Sequence, residues 1–207
     1  MRRYRAVLFD LLTAVLDSWS LWDAAAGSIE IGRRWRAAYL RRIYGCGAYR
    51  PYETLVAEAA AEANIDPDAV LQLEQRWTSL APWSGVRDTL AALRAAHRLA
   101  VVTNCSERLG HVAADLVGIP FDVIVTAERA GFYKPDPRPY RLALDELGVD
   151  TRDALFVAGS GYDLFGTAAV GLDTYWHNRI GLPAPQGAPA AMMMSREIEP
   201  LLTIVRS

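Results

Sequence analysis

Asp10 ends the apolar run Val7-Leu8-Phe9. A carboxylate at the end of a short apolar strand can attack an electrophilic carbon or phosphorus and form an ester that water later splits. The same position also suits an aspartate that only caps a turn. Two residues on stands Leu12, which cannot transfer a proton. Three further segments carry chemistry that would complement a nucleophile. Thr103 and Asn104 bring a hydroxyl and an amide to the end of the run Leu99–Thr103, where backbone N–H groups entering a helix can cradle an anion. Plain helix capping by Thr103 or Ser106 would use the same residues. Lys134 is followed by Pro135 and Pro137, which stiffen the loop and fix its aim. Beside Asp10 a lysine would keep the carboxylate ionised and counter charge in the transition state. Elsewhere it would be a surface lysine in a proline-rich turn. Asp163 closes Gly159-Ser160-Gly161-Tyr162, whose glycines suit a tight turn. It can activate a water or cap the next helix, and the two roles are compatible.

For these segments to act together, the fold must bring their ends to one place. Arg5–Asp10 reads as a buried parallel strand. Further strands are predicted at Leu99–Thr103, Phe121–Thr126, Ala154–Ala158 and Thr174–Trp176. Helices are predicted at Val86–Ala96, with Val86, Leu90 and Leu93 on one face, and at Arg108–Leu116, Pro139–Leu147 and Asp163–Val170. Alternating strands and helices imply an α/β fold, a Rossmann-like doubly wound parallel sheet. Right-handed crossovers then place all strand C-termini on one edge, where ligands bind. Asp10, Thr103-Asn104, Lys134 and the run 158–163 converge there.

The stretch from about Asp17 to Leu80 reads differently. It is rich in Ala, Arg, Glu and Leu at helical spacing, and Asp66 before Pro67 is a helix N-cap signal. The expected organisation is a core of residues 1–16 and 81–207 with a helical cap of residues 17–80 inserted after the first strand. Pro183–Pro189 reads as a loop, and Met192–Met194 as packing material.

Composition narrows the classes. A hydrophobic fraction of 52%, with six Trp and nine Tyr, can fill a substantial core. A formal net charge of −2 points to neither nucleic acid nor membrane as partner. No run of about 18 apolar residues predicts a membrane span. The basic start is followed by a short strand and an acid, unlike a secretory signal. Of Arg33, Arg34, Arg36, Arg41 and Arg42, most read by default as a solvated helix face. Cys46 and Cys105 lie far apart with no CxxC spacing, which fits a reduced, cytoplasmic setting. His97, His111 and His177 show no ligand spacing, so zinc is not expected, and nothing else in the composition calls for a cofactor.

Phe9-Asp10, Val102-Thr103-Asn104, Tyr133–Arg138 and Phe156–Asp163, in this order and with an insert after the first, resemble the haloacid dehalogenase-like hydrolase superfamily. The resemblance covers nearly the whole chain and implies a Rossmann-like core with a helical cap. Phosphatases of that superfamily carry a second Asp two residues after the nucleophile, where this chain has Leu12, and a metal-binding acid near Ala158-Gly159, where it has none. The L-2-haloacid dehalogenase branch lacks that second Asp and works without metal. Trp35-Arg36 matches its leaving-group arginine, Lys134 with Tyr140 matches its lysine and tyrosine six residues on, and Asn178-Arg179 matches the pair after its last strand.

The resemblance implies a metal-free substitution at C2 of a small carboxylic acid. Asp10 attacks, Lys134 orients it, and amides near Thr103-Asn104 hold the substrate carboxylate. Arg36 takes the leaving anion, and Asp163 directs water with Ser160 and Tyr140 in support. Leu12 and Thr13 border the substrate. The branch usually reads Asp-x-Tyr-Gly-Thr where this chain reads Asp10-Leu11-Leu12-Thr13-Ala14, and it has Ser and Asn where this chain has Ala158 and Ser160. A magnesium-dependent phosphatase and a non-catalytic binder of small carboxylates are the alternatives. Relatives are often dimers, so a homodimer is expected by analogy.

Overall fold

In the computed structural model, residues 4–205 are described. The first strand, β1 (Ala6–Phe9), runs into a single π-helical turn, Leu11–Val15. Four helices follow: α1 (Ser18–Ala25), α2 (Ile29–Gly45), α3 (Tyr52–Glu62) and α4 (Pro67–Gln75). Then α5 (Val86–Arg94), β2 (Arg98–Thr103), α6 (Glu107–Val117), β3 (Val123–Thr126), α7 (Ala127–Ala130), α8 (Pro137–Leu147), β4 (Ala154–Ala158), α9 (Asp163–Val170) and β5 (Asp173–His177) alternate. A short strand β6 (Met193–Ser195) and helix α10 (Leu201–Ile204) close the described chain.

The six strands form one parallel sheet in the order β3-β2-β1-β4-β5-β6. Strand order therefore reverses at β1, and the crevice beyond the carboxyl end of that strand is where ligands bind in open α/β sheets. The expected α/β class is the observed one. Alternation along the strands fills both faces. Val7, Phe9, Val101 and Val157 join a core shared with the inserted helices, while Leu8, Ala100, Val102 and Phe156 pack beneath α8.

Several side chains tie the inserted helices to the sheet edge. Tyr39 Oη donates to the Asn104 carbonyl at 3.1 Å, Trp77 Nε1 to the Leu109 carbonyl at 2.9 Å, and Tyr133 Oη to the Arg50 carbonyl at 2.8 Å. α2 begins at Ser28, whose hydroxyl accepts from the Ile31 amide, and buries Gly32, Trp35, Arg36, Tyr39 and Ile43 along one face. α8 starts two residues earlier than predicted because Asp136 caps it and Pro137 occupies its first turn.

One reading of the sequence needs correction. Met192–Met194 are exposed, and Met193 and Met194 form part of an edge strand rather than filling a core, because β6 has a neighbour on one side only. Most of the α2 arginines lie toward solvent as expected; Arg36 alone of the five is buried, one helical turn from Gly32 on the inward stripe. Among the described residues no helix is long and apolar enough to cross a membrane.

Candidate active site

Asp10 follows the last residue of β1 and caps the π-helical turn. Its Oδ2 accepts from the Thr13 amide at 2.9 Å, the Thr13 hydroxyl at 2.5 Å and the Ala14 amide at 3.1 Å. Its Oδ1 accepts from Lys134 Nζ at 2.8 Å. The turn is fixed from behind: Trp83 Nε1 donates to the Thr13 carbonyl at 3.0 Å, and His177 Nδ1 lies 2.7 Å from the Ala14 carbonyl. Gly159 completes this packing, since a Cβ there would overlap the Ala14 backbone and the Thr13 hydroxyl.

Lys134 Nζ also lies 3.0 Å from Asp163 Oδ1, so one ammonium sits between two carboxylates. All three groups are buried, with relative exposures of 6% for Asp10, 3% for Lys134 and 4% for Asp163. Burial raises the Asp10 carboxyl, but the Lys134 charge and the hydrogen bonds from Lys134 and Thr13 outweigh it and hold Asp10 below its ordinary value. Burial also raises Asp163, and there it prevails, aided by the Asp10 charge and opposed by Lys134. Burial lowers Lys134, yet the two carboxylates more than compensate and keep it protonated. The two acids are thus pushed apart in acidity, the usual mark of distinct roles.

Asn104 sets the lysine from below. Its Oδ1 accepts from the Lys134 amide at 2.7 Å and its Nδ2 donates to the Lys134 carbonyl at 3.0 Å. Tyr140 Oη donates to Asp163 Oδ1 at 2.9 Å. The second oxygen of Asp163, Oδ2, is buried without a hydrogen-bond partner.

The facing wall comes from α1 and α2. Arg36 is 6% exposed, and its guanidinium lies 3.9 Å from the centre of the Trp19 ring and 5.7 Å from that of Trp22. Its Nε and Nη1 are buried without a hydrogen-bond partner. Burial depresses its pKa, but a guanidinium remains a cation. A buried cation with free N–H groups on an aromatic shelf is a receptor for an anion. Between the walls lies a cavity of about 350 Å³.

Asp10, Leu12, Thr13, Arg36, Asn104, Lys134, Ser160 and Asp163 all line this cavity. Two of the predicted substrate contacts do not. Thr103 is buried at the end of β2, with its hydroxyl 3.9 Å from Cys105 Sγ. Tyr140 is fully buried beneath Asp163 and reaches the cavity only through that residue. Asn104 lines the cavity, but its side-chain amide is committed to the Lys134 backbone. Sequence reasoning missed Trp19, Tyr44, Tyr162 and the 182–185 loop. The one available signal was helical spacing, which puts Trp19 and Trp22 on one face of α1.

Magnesium demands about six oxygen ligands in near-octahedral geometry. Here an ammonium stands between the two carboxylates, position 12 is apolar, and position 159 has no room for a side chain. Among the described residues no group of three or more His, Cys, Asp or Glu could hold a metal ion. The residues present do not fit the ion that phosphatases of this fold employ.

Comparison with known proteins agrees with the fold. Haloacetate dehalogenase H-2 of Moraxella sp. (strain B) is 28% identical over 200 residues, covering 87% of this chain and 88% of that protein. (S)-2-haloacid dehalogenase 1 of Pseudomonas sp. (strain CBS-3) is 28% identical over 189 residues, covering 85% and 82%. L-2-haloacid dehalogenase from Xanthobacter autotrophicus, solved with chloropropionic acid covalently bound, superposes with a TM-score of 0.83 at 21% identity, covering 98% of each chain. At that identity the likeness concerns the fold. A family model described as haloacid dehalogenase-like hydrolase matches residues 4–171. That match spans most of the chain, from β1 to the end of α9, and the chain therefore belongs to the haloacid dehalogenase-like hydrolases.

Proposed function

We propose that the protein hydrolyses 2-halocarboxylic acids through an ester on Asp10, without a metal. The observation that carries this reading is the unequal treatment of the two Asp10 oxygens. Oδ2 accepts three hydrogen bonds, which fix the plane of the carboxylate, whereas Oδ1 meets only Lys134 and keeps lone pairs for attack. In the first step Oδ1 bonds to C2 and the C2–halogen bond breaks, with the halide leaving on the opposite side with its electron pair. Arg36 receives that anion. The substrate carboxylate is held by backbone amides at the Leu12 and Asn104 turns.

In the second step water attacks Cγ of the ester. Asp163 takes the proton through Oδ2, the oxygen that no protein donor occupies. Negative charge then develops on Oδ2 of Asp10, where the Thr13 and Ala14 amides and the Thr13 hydroxyl already point. Collapse breaks the bond between Cγ and Oδ1, which takes the proton from Asp163 and leaves as the hydroxyl oxygen of the 2-hydroxy acid, while the restored Asp10 carboxyl loses its remaining proton to solvent. Residues 1–16 and 81–207 supply the reacting groups in this reading, and residues 17–80 act as the cap that supplies Arg36. Two named relatives, a haloacetate and an (S)-2-haloacid dehalogenase, support the choice of leaving group.

The reading is tested with chelator-treated protein and an L-2-halo acid. Halide release that is unchanged by chelator and not raised by magnesium is expected. Hydrolysis of a generic phosphate ester that appears only with magnesium would favour the phosphatase alternative instead.

A further inference from the structure

We infer that the cavity is built for a 2-halo acid with a long or bulky apolar group at C2, rather than for two- or three-carbon acids. This rests on the reading of Asp10 and Arg36 given above. Chloropropionic acid has six non-hydrogen atoms, and at no more than the roughly 30 Å³ a water occupies in the liquid these fill about 180 Å³. The cavity holds about 350 Å³. About half of it therefore remains when the carboxylate, C2 and the halogen are in place.

The remaining space has a defined chemistry. Every acidic group that lines the cavity belongs to the sheet edge, at Asp10 and Asp163. Leu40 and Ile43 from α2, and Leu182, Pro183, Ala184 and Pro185 from the loop after β5, line the cavity with apolar surface and no side-chain hydrogen-bonding group. Tyr44 of α2 stacks on Tyr162 of the sheet edge, ring centres 4.2 Å apart at 27°, so the two walls meet through aromatic faces. The loop wall is held in place: Asn178 Nδ2 donates to the Leu182 carbonyl and the Leu182 amide donates to Asn178 Oδ1, both at 2.8 Å. A positioned apolar wall favours a substrate that buries methylenes against it, by about twofold to fourfold in affinity for each.

The test compares turnover and binding along one chain-length series. Halide release is measured for L-2-bromopropionate, L-2-bromohexanoate and L-2-bromooctanoate, and calorimetry gives the affinities of unhalogenated propionate, hexanoate and octanoate. We expect kcat/KM to rise about tenfold or more from three to six carbons, mainly through KM, and affinity to rise in parallel. Leu40→Trp, which takes up space at the apolar lining, should lower the ratio of six-carbon to three-carbon turnover about tenfold. Turnover that is fastest on the three-carbon acid and falls with length overturns the inference while leaving the Asp10 mechanism standing. Affinity that rises with length without halide release from any acid upholds the apolar subsite and overturns the mechanism. Flat affinity without halide release overturns both.

Discussion

On the sheet-edge side of the cavity, charge is answered by charge. Asp10, Lys134 and Asp163 form a buried acid–base–acid row in which only one oxygen, Asp163 Oδ2, lacks a protein partner. On the helical side Arg36, the arginine that lines the cavity, shares the Trp19 ring with Arg33 and has two N–H-bearing nitrogens unanswered. Both walls bury charge at comparable depth. They differ in what completes them. The first is held in its working geometry by its own hydrogen bonds, so its groups need no reorganisation when substrate arrives. The second is completed only by an anion from outside. The row at the sheet edge is therefore suited to making and breaking bonds, and Arg36 to holding what is released.

This contrast can be broken by substitution. Asp10→Asn removes the attacking oxygen and should lower kcat/KM for halide release at least about ten-thousandfold; retention of full activity would remove Asp10 from the mechanism. Next in size is a paired stability test by urea unfolding. Lys134→Met strands two buried carboxylates and should cost about 3–5 kcal/mol, whereas Arg36→Met removes an unpaired cation and should leave stability unchanged or up to about 1 kcal/mol higher. Halide turnover in Arg36→Met should still fall about a hundredfold or more. Equal destabilisation by the two substitutions would erase the distinction between the walls.

The pH profile sharpens the difference within the row. Asp163 is held above the ordinary carboxyl value of 3.8. The folded state therefore binds its proton more tightly than the unfolded chain, and ionising it costs stability as pH rises above 3.8. Asp10 is held below 3.8, so its contribution is present above that value and is lost as pH falls through its lower folded value. The acid limb of kcat for the hydrolytic step should lie above 3.8 and report Asp163. A limb below 3.8 would make Asp10 the limiting group. The smallest effect is expected from Thr13→Val, which deletes the 2.5 Å bond from the hydroxyl to Asp10 Oδ2 and leaves both amides in place. A loss of about tenfold in kcat matches one charge-assisted hydrogen bond.

The sheet-edge wall was far more legible in the sequence than the helical wall. Asp10, Lys134 and Asp163 each follow or adjoin a strand, and parallel topology brings strand ends together whatever the details of packing. Leu12, adjoining Asp10 in sequence, lines the same cavity. The helical wall depends on which face of α2 turns inward, and within a run of arginines only the Trp35-Arg36 resemblance, not the residue pattern, pointed to Arg36. The π-helical turn was illegible because Leu11–Val15, apolar but for Thr13, is too short to show a helical period. The apolar lining could not be assembled from sequence, since residues 40–44, 162 and 182–185 come to one cavity only through the fold. Thr103 and Tyr140 were placed one layer too close to the substrate, because a motif shows which residues cooperate but not which of them face the cavity.

One measurement addresses the covalent step directly. A single turnover of L-2-chloropropionate is run in heavy-oxygen water with enzyme in excess, and the product and the peptide containing Asp10 are weighed by mass spectrometry. Attack by Oδ1 on C2, followed by attack of water on Cγ, places one heavy oxygen in Asp10 and none in the first lactate released. Label in that lactate with none in Asp10 would mean that water attacks C2 itself, and the account of Asp10 as nucleophile would be wrong.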